Sequence, residues 1–176
     1  MQSEDSFDFR STLEISTNRL WGCHFGVPSV IADALIAQSK DRRVICTLNG
    51  KAEFQCALLP RGDNTFLITV NKKLQTTLAV KPGMQVSVRL RKDESEYGLP
   101  MPEELEEVLR QDEEGNRLFH ALTPGKQRTL LYIVGHVKNT DARLSRALVI
   151  VEHLKEQRGK IDYKRLNAAL QEAAKR

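Results

Sequence analysis

The spacing of apolar residues changes once along this 176-residue chain, near residue 95, and no other feature restricts the fold as much. Before that point the apolar residues recur in twos. Phe7, Phe9, Leu13 and Ile15 alternate with polar neighbours; Trp21, Cys23, Phe25 and Val27 follow after a break near Asn18; Val86, Val88 and Leu90 close the series. A period of two marks half-buried strands, because successive side chains point to opposite faces. Beyond Pro100 the period lengthens to that of helices, as in Leu105, Val108 and Leu109.

Within the first half, "VPSVIADALIAQ" is the exception. Pro28 suits a first helical position, and Val30, Ile31, Ala34 and Leu35 fall on one face. "VICTLNGKAEFQCALLP" reads as a hairpin turning at Asn49-Gly50, since both residues tolerate positive φ. With a two-residue turn Leu48 faces Lys51, and Cys46 and Cys56 fall on opposite faces. "RGDN" and "KPG" mark further turns. About six short, regularly spaced strands and one short helix result, and a closed barrel is the economical way to leave them no open edges.

In the second half, Pro102 opens a helix whose early acids Glu103, Glu104, Glu106 and Glu107 complement its positive end. A short piece follows around Leu118 and Phe119. Thr123 and Pro124 begin a helix with Leu130, Leu131, Ile133, Val134 and Val137 inward. Thr140 caps the next, which carries Leu144, Leu148, Val151 and Leu154 and ends at Gly159. Asp162 caps a last one, with Leu166, Ala169 and Leu170 inward. The predicted fold class is α+β: a six-stranded β-barrel over residues 1–97, then a helical subdomain of about four helices over 98–176.

The residues that carry this pattern also carry a resemblance. "VICTLNGKAEFQCALLPRGDNTFLITVNKKLQ" with "VKPGMQVSVRL" resembles the DUF1905 domain, and "LTPGKQRTLLYIVGHVKNTDARLSRAL" resembles the helical signature of bacterial YdeI/OmdA-like proteins. The resemblance implies an AF2212-like barrel, distantly related to the AbrB-like double-split barrels. Pro124, Gly125, Arg128, Ile133, Lys138, Arg143 and Arg146 fall on the helical signature. Tyr132 stands where the family often has Trp, Ala142 where Thr precedes the Arg, and Met84 where Asp follows the Gly. The family name carries outer-membrane association and bacteriocin resistance. The resemblance therefore implies an architecture rather than a reaction.

Several activities have no residues to support them. The three cysteines form no CxxC, and the four histidines form neither HExxH nor an i, i+4 pair, so neither metal nor cofactor is expected. Cys23 and His24 are adjacent, which on a strand points them apart and forbids a thiolate–imidazole dyad. GxSxG, GxGxxG and GxxxxGK[ST] are absent. No apolar run approaches the roughly 20 residues that span a bilayer. The acidic, polar opening "MQSEDSFDFR" has no apolar leader core, so the expected location is cytoplasmic.

What remains is charge. The net charge is +4, but residues 99–120 hold seven acids against two bases, and residues 121–176 hold twelve bases against five acids. At 100° per residue Arg128, Tyr132 and His136 share a face of one helix, Lys138 follows, and Arg143 and Arg146 share a face of the next. Arg143 sits in a first turn, where a cation gains nothing from its own helix dipole. Its partner is therefore elsewhere: carbonyls ending the previous helix, the acids at 103–114, or a bound anion. These six residues form the candidate ligand site, with a small anionic ligand or a protein as partner. The expected role is a non-catalytic binding or stress-response protein. One alternative is nucleic-acid binding by the basic helices. The other is an enzyme with a pocket between barrel and helices that draws on Asp93, Glu94, Tyr97, Arg128, Tyr132 and His136.

Overall fold

A computed structural model describes residues 5–17, 21–39 and 41–176. The break expected near Asn18 lies outside the described residues. The chain divides into two compact units, Met1–Glu94 and Ser95–Arg176.

The first unit has eight strands and two helices. The strands are β1 (Phe7–Thr12), β2 (Glu14–Ile15), β3 (Cys23–Val27), β4 (Arg43–Leu48), β5 (Ala52–Ala57), β6 (Leu59–Pro60), β7 (Phe66–Thr69) and β8 (Gln85–Lys92); the helices are α1 (Ser29–Gln38) and α2 (Lys72–Leu78). One antiparallel sheet runs β1-β8-β4-β5 and the other β2-β3-β7-β6. This corrects the closed six-stranded barrel. Two long strands are each interrupted by one buried leucine, Leu13 and Leu58, both 1% exposed. At Leu13 the backbone bonds turn to Gly83 and Met84, and at Leu58 to Arg42. Each long strand therefore gives one half to each sheet, and six expected strands become eight in two sheets. Phe25, Leu48, Leu90 and Ile68 fill the space inside.

The hairpin turns where expected, with positive φ at Asn49 and Gly50, and Lys51 N–H donates to Leu48 O at 3.0 Å. The first cross-strand pair is nevertheless Leu48↔Ala52, one residue later than a two-residue loop gives. A one-residue slip moves a whole strand to the other face. Cys46 now lies opposite Phe54 and Val44 opposite Cys56, so the two cysteines are diagonal neighbours on one face, not on opposite faces. Helix α1 buries Ala32 and Leu35 and leaves Val30 81% exposed, against the expected stripe. Helix α2 was not expected; its signal is Asn71, whose side chain accepts from Leu74 N–H.

The second unit has five helices rather than about four: α3 (Glu103–Gln111), α4 (Glu113–His120), α5 (Pro124–Gly135), α6 (Thr140–Glu156) and α7 (Tyr163–Ala174). The short piece around Leu118 is a full helix because Asp112 caps it, accepting from Gly115 N–H at 2.7 Å. Helix α6 packs against α3, α4, α5 and α7. Gly115 permits the α4 approach: a Cβ there would clash with Val151 Cγ1. The buried face of α6 is Ala147, Ile150, Val151 and Leu154, while Leu144 and Leu148 are exposed, a rotation from the expected stripe. Four helices pack on α6 here, so a single leucine row does not define its inner face. In α7 Leu166 is buried and Ala169 is not. Among the described residues no helix is long and apolar enough to cross a membrane.

Candidate functional site

The opening turn of α6 brings its arginines to the end of α5. Asn139 caps α6 through Ala142 N–H, one residue before the expected Thr140, and the next turn carries Arg143 and Arg146. Arg143 donates through Nε to Val137 O at 2.7 Å and through Nη2 to Gly135 O at 3.1 Å. Arg146 Nη1 donates to Ile133 O at 2.8 Å. The last carbonyls of a helix have no partner within it and carry its negative dipole end. Two guanidinium groups from the next helix supply both donors and charge. A hydrogen bond to a charged group contributes about 1.5–3 kcal/mol when sheltered, and less here, where the Arg143 side chain is 32% exposed. Arg143 Nη1 also lies 3.8 Å from Glu104 Oε2 in α3, an ionic contact beyond hydrogen-bond length.

Next to these arginines, His136 donates from Nδ1 to Tyr132 O at 3.0 Å, and its Nε2 lies 3.5 Å from Arg146 Nη1. Its ring stacks on Tyr132 with centroids 5.0 Å apart and planes 12° from parallel. Tyr132 is 62% exposed, a large aromatic surface held in place by one neighbour.

These groups border a cleft of about 640 Å³ inside the second unit. One wall is Leu99, Pro100, Met101, Pro102 and Leu131. The polar rim is Glu103, Glu104, Tyr132, His136, Thr140 and Arg143. Of the six residues proposed from sequence, Tyr132, His136 and Arg143 line the cleft and Arg146 stands behind His136. Arg128 and Lys138 are not part of the lining, and neither has a polar partner among the described residues. Sequence reasoning missed the proline-methionine wall. "GLPMPEEL" marked it only as a break between halves.

Other reactive groups serve the fold. A hydrogen bond with the free Cys56 thiol, together with burial, pushes the Cys46 thiol up, and burial does the same to Cys23. A nucleophilic cysteine needs the opposite shift. Tyr97, raised by burial, bonds His120 Nε2 at 2.8 Å, away from Tyr132 and His136. Asp93 accepts from Gln55 at 3.0 Å in the first unit. His24 donates to Gly22 O, and His153 accepts from Asp162 N–H. Among the described residues no three His, Cys, Asp or Glu side chains are grouped to hold a metal ion.

Residues 9–90 match the model of a domain of unknown function, DUF1905. Residues 99–157 match the model described as bacteriocin-protection, YdeI or OmpD-associated. The chain is a YdeI/OmdA-like protein with an N-terminal DUF1905 domain. The match over 99–157 takes in every residue that lines the cleft. No curated protein matches the chain.

Proposed function

We propose that this YdeI/OmdA-like protein acts by binding, without catalysis, and that its ligand occupies the cleft bordered by α3, α5 and α6. One observation carries the reading: a tyrosine ring, fixed by stacking on His136 and otherwise open, stands at the edge of an apolar-walled cleft. Clefts of several hundred cubic ångströms with apolar walls and a few polar groups are the common form of a ligand site. The family description, bacteriocin protection, is compatible with action by sequestration or by contact with a partner.

The chemistry of the rim supports binding over turnover. The His136 Nδ1 proton goes to Tyr132 O, and two Arg143 nitrogens go to Gly135 O and Val137 O at the end of α5, so these groups hold the fold rather than face a reacting atom. An anionic ligand or a nucleic acid has Arg128 and Lys138 to meet, both outside the lining, because Arg143 and Arg146 are committed to carbonyls. The test is a fragment screen by amide-resolved NMR. Binders are expected to shift Leu131, Gly135 and Thr140 and to lose those shifts in Tyr132→Ala. Hits that cluster elsewhere, or turnover of any compound in a broad activity screen that Arg143→Ala abolishes, contradict the reading.

A further inference from the structure

We infer that the cleft takes a cationic side chain, lysine or arginine, within a short apolar segment of a partner polypeptide. The inference rests on the cleft being the binding site and names what enters it.

The argument begins with the supply of acceptors and donors. The charged or chargeable groups that line the cleft are Glu103, Glu104, Arg143 and His136, beside the Tyr132 phenol. Arg143 has two of its nitrogens on Val137 O and Gly135 O. His136 has its Nδ1 proton on Tyr132 O and turns Nε2 toward the Arg146 guanidinium, so it brings no donor to the cleft. What remains is two carboxylates against one guanidinium. With only the neutral hydroxyls of Tyr132 and Thr140 as further donors, the lining is negative in balance.

Glu104 sharpens this. Its side chain is only 14% exposed, and Oε2 is buried without a hydrogen bond among the described residues. Its one ionic neighbour, Arg143 Nη1, stays at 3.8 Å. A sheltered carboxylate without a donor is costly, and the same carboxylate gains most when a charged donor arrives. Glu103, exposed one residue earlier, adds a second charge at the same rim.

Tyr132 supplies the complementary surface. A ring with a free face attracts an ammonium or guanidinium placed over it. Leu99, Pro100, Met101 and Leu131 then receive the aliphatic stem and its neighbours. The cleft, about 640 Å³, is large for one alkylammonium stem and of a size for several residues in extended form.

The experiment titrates the full chain with three capped tetrapeptides that differ at one position: leucine-lysine-proline-leucine, and the same with norleucine or glutamate. Butylammonium alone is the fourth probe. Amide shifts at Leu131, Gly135 and Thr140 report occupancy of the cleft. The lysine peptide is expected to bind there at least about tenfold tighter than the norleucine and glutamate peptides, the scale of one charge-assisted contact. Glu104→Gln and Tyr132→Ala are each expected to weaken it several-fold. Glu103→Gln, at an exposed position, gives the same reading should Glu104→Gln disturb the fold. If the glutamate or norleucine peptide binds the same residues equally well, the charge inference fails and the cleft stands as a binding site. Butylammonium matching the lysine peptide overturns the polypeptide part. If none of the four shifts those amides, both the inference and the binding reading fall.

Discussion

The two units use arginine in different ways. In the strand-built unit, Arg89 bonds Asp8 through Nε at 2.8 Å across an open sheet face, and both side chains are about 60% exposed. In the helical unit, Arg143 and Arg146 reach partly covered carbonyls at the end of another helix. The first kind of pair trades water for a partner that water serves nearly as well. The second supplies donors to groups that have none. Residue type alone therefore does not say whether an arginine stabilises; the acceptor and its access to water do.

Breaking either core gives the largest effect. Phe25 and Phe119 are each fully buried, one in each unit, and truncation of either to alanine is expected to cost about 3–5 kcal/mol in chemical denaturation. A much smaller loss for Phe119→Ala would mean that the helical unit is loosely packed and that its arginines matter more than its apolar residues.

The arginine contrast comes next. Arg143→Ala leaves two carbonyls without their donor and Glu104 without its ionic neighbour, and is expected to cost about 1–3 kcal/mol. Arg143→Lys is expected to recover little, because an ammonium cannot reach both carbonyls in the guanidinium plane. In the strand unit Gly50→Ala tests the left-handed turn of the hairpin. Gly50 sits at φ 62°, and a left-handed alanine costs about 1–2 kcal/mol.

A smaller, pH-dependent term belongs to Asp112. The Lys155 ammonium at 2.8 Å, then Gly115 N–H, holds its carboxyl below the usual aspartate range. A carboxyl with a depressed folded pKa adds stability that is fully present above its unfolded pKa and disappears as pH falls through the folded one. Lys155→Met should move the Asp112 titration, followed by carboxyl carbon NMR, upward toward the ordinary range. The smallest effect is expected from Arg89→Ala: little change in stability, and what change there is should fade with added salt.

The change of hydrophobic period set the strand-rich half apart from the helical half because it is a local property of the chain, although it did not show α2. Caps at Asp112, Asn139 and Asp162 were legible to within one residue, or not at all when the helix was short, because a cap is a single side chain. The hairpin register was not legible. Asn49-Gly50 names the turn, but the extra residue at Lys51 depends on how β4 and β5 sit in the sheet. The bends at Leu13 and Leu58 were also hidden, since a leucine between two strand halves looks like strand. At the site, the helical face of Tyr132 and His136 was readable and Arg143's need for a partner was deducible. The cleft itself was not, because Leu99, Met101 and Pro102 are remote in sequence from α5.

The central claim is that Arg143 is held at the end of α5 rather than by solvent, which leaves the adjoining cleft short of charged donors. Side-chain ¹⁵N NMR of the arginines tests this most directly. The account predicts a slowly exchanging Arg143 Nε–H with a scalar coupling to the Val137 carbonyl, beside a fast-exchanging Nε–H for Arg128, which has no partner among the described residues. Equally fast exchange at both positions would contradict it.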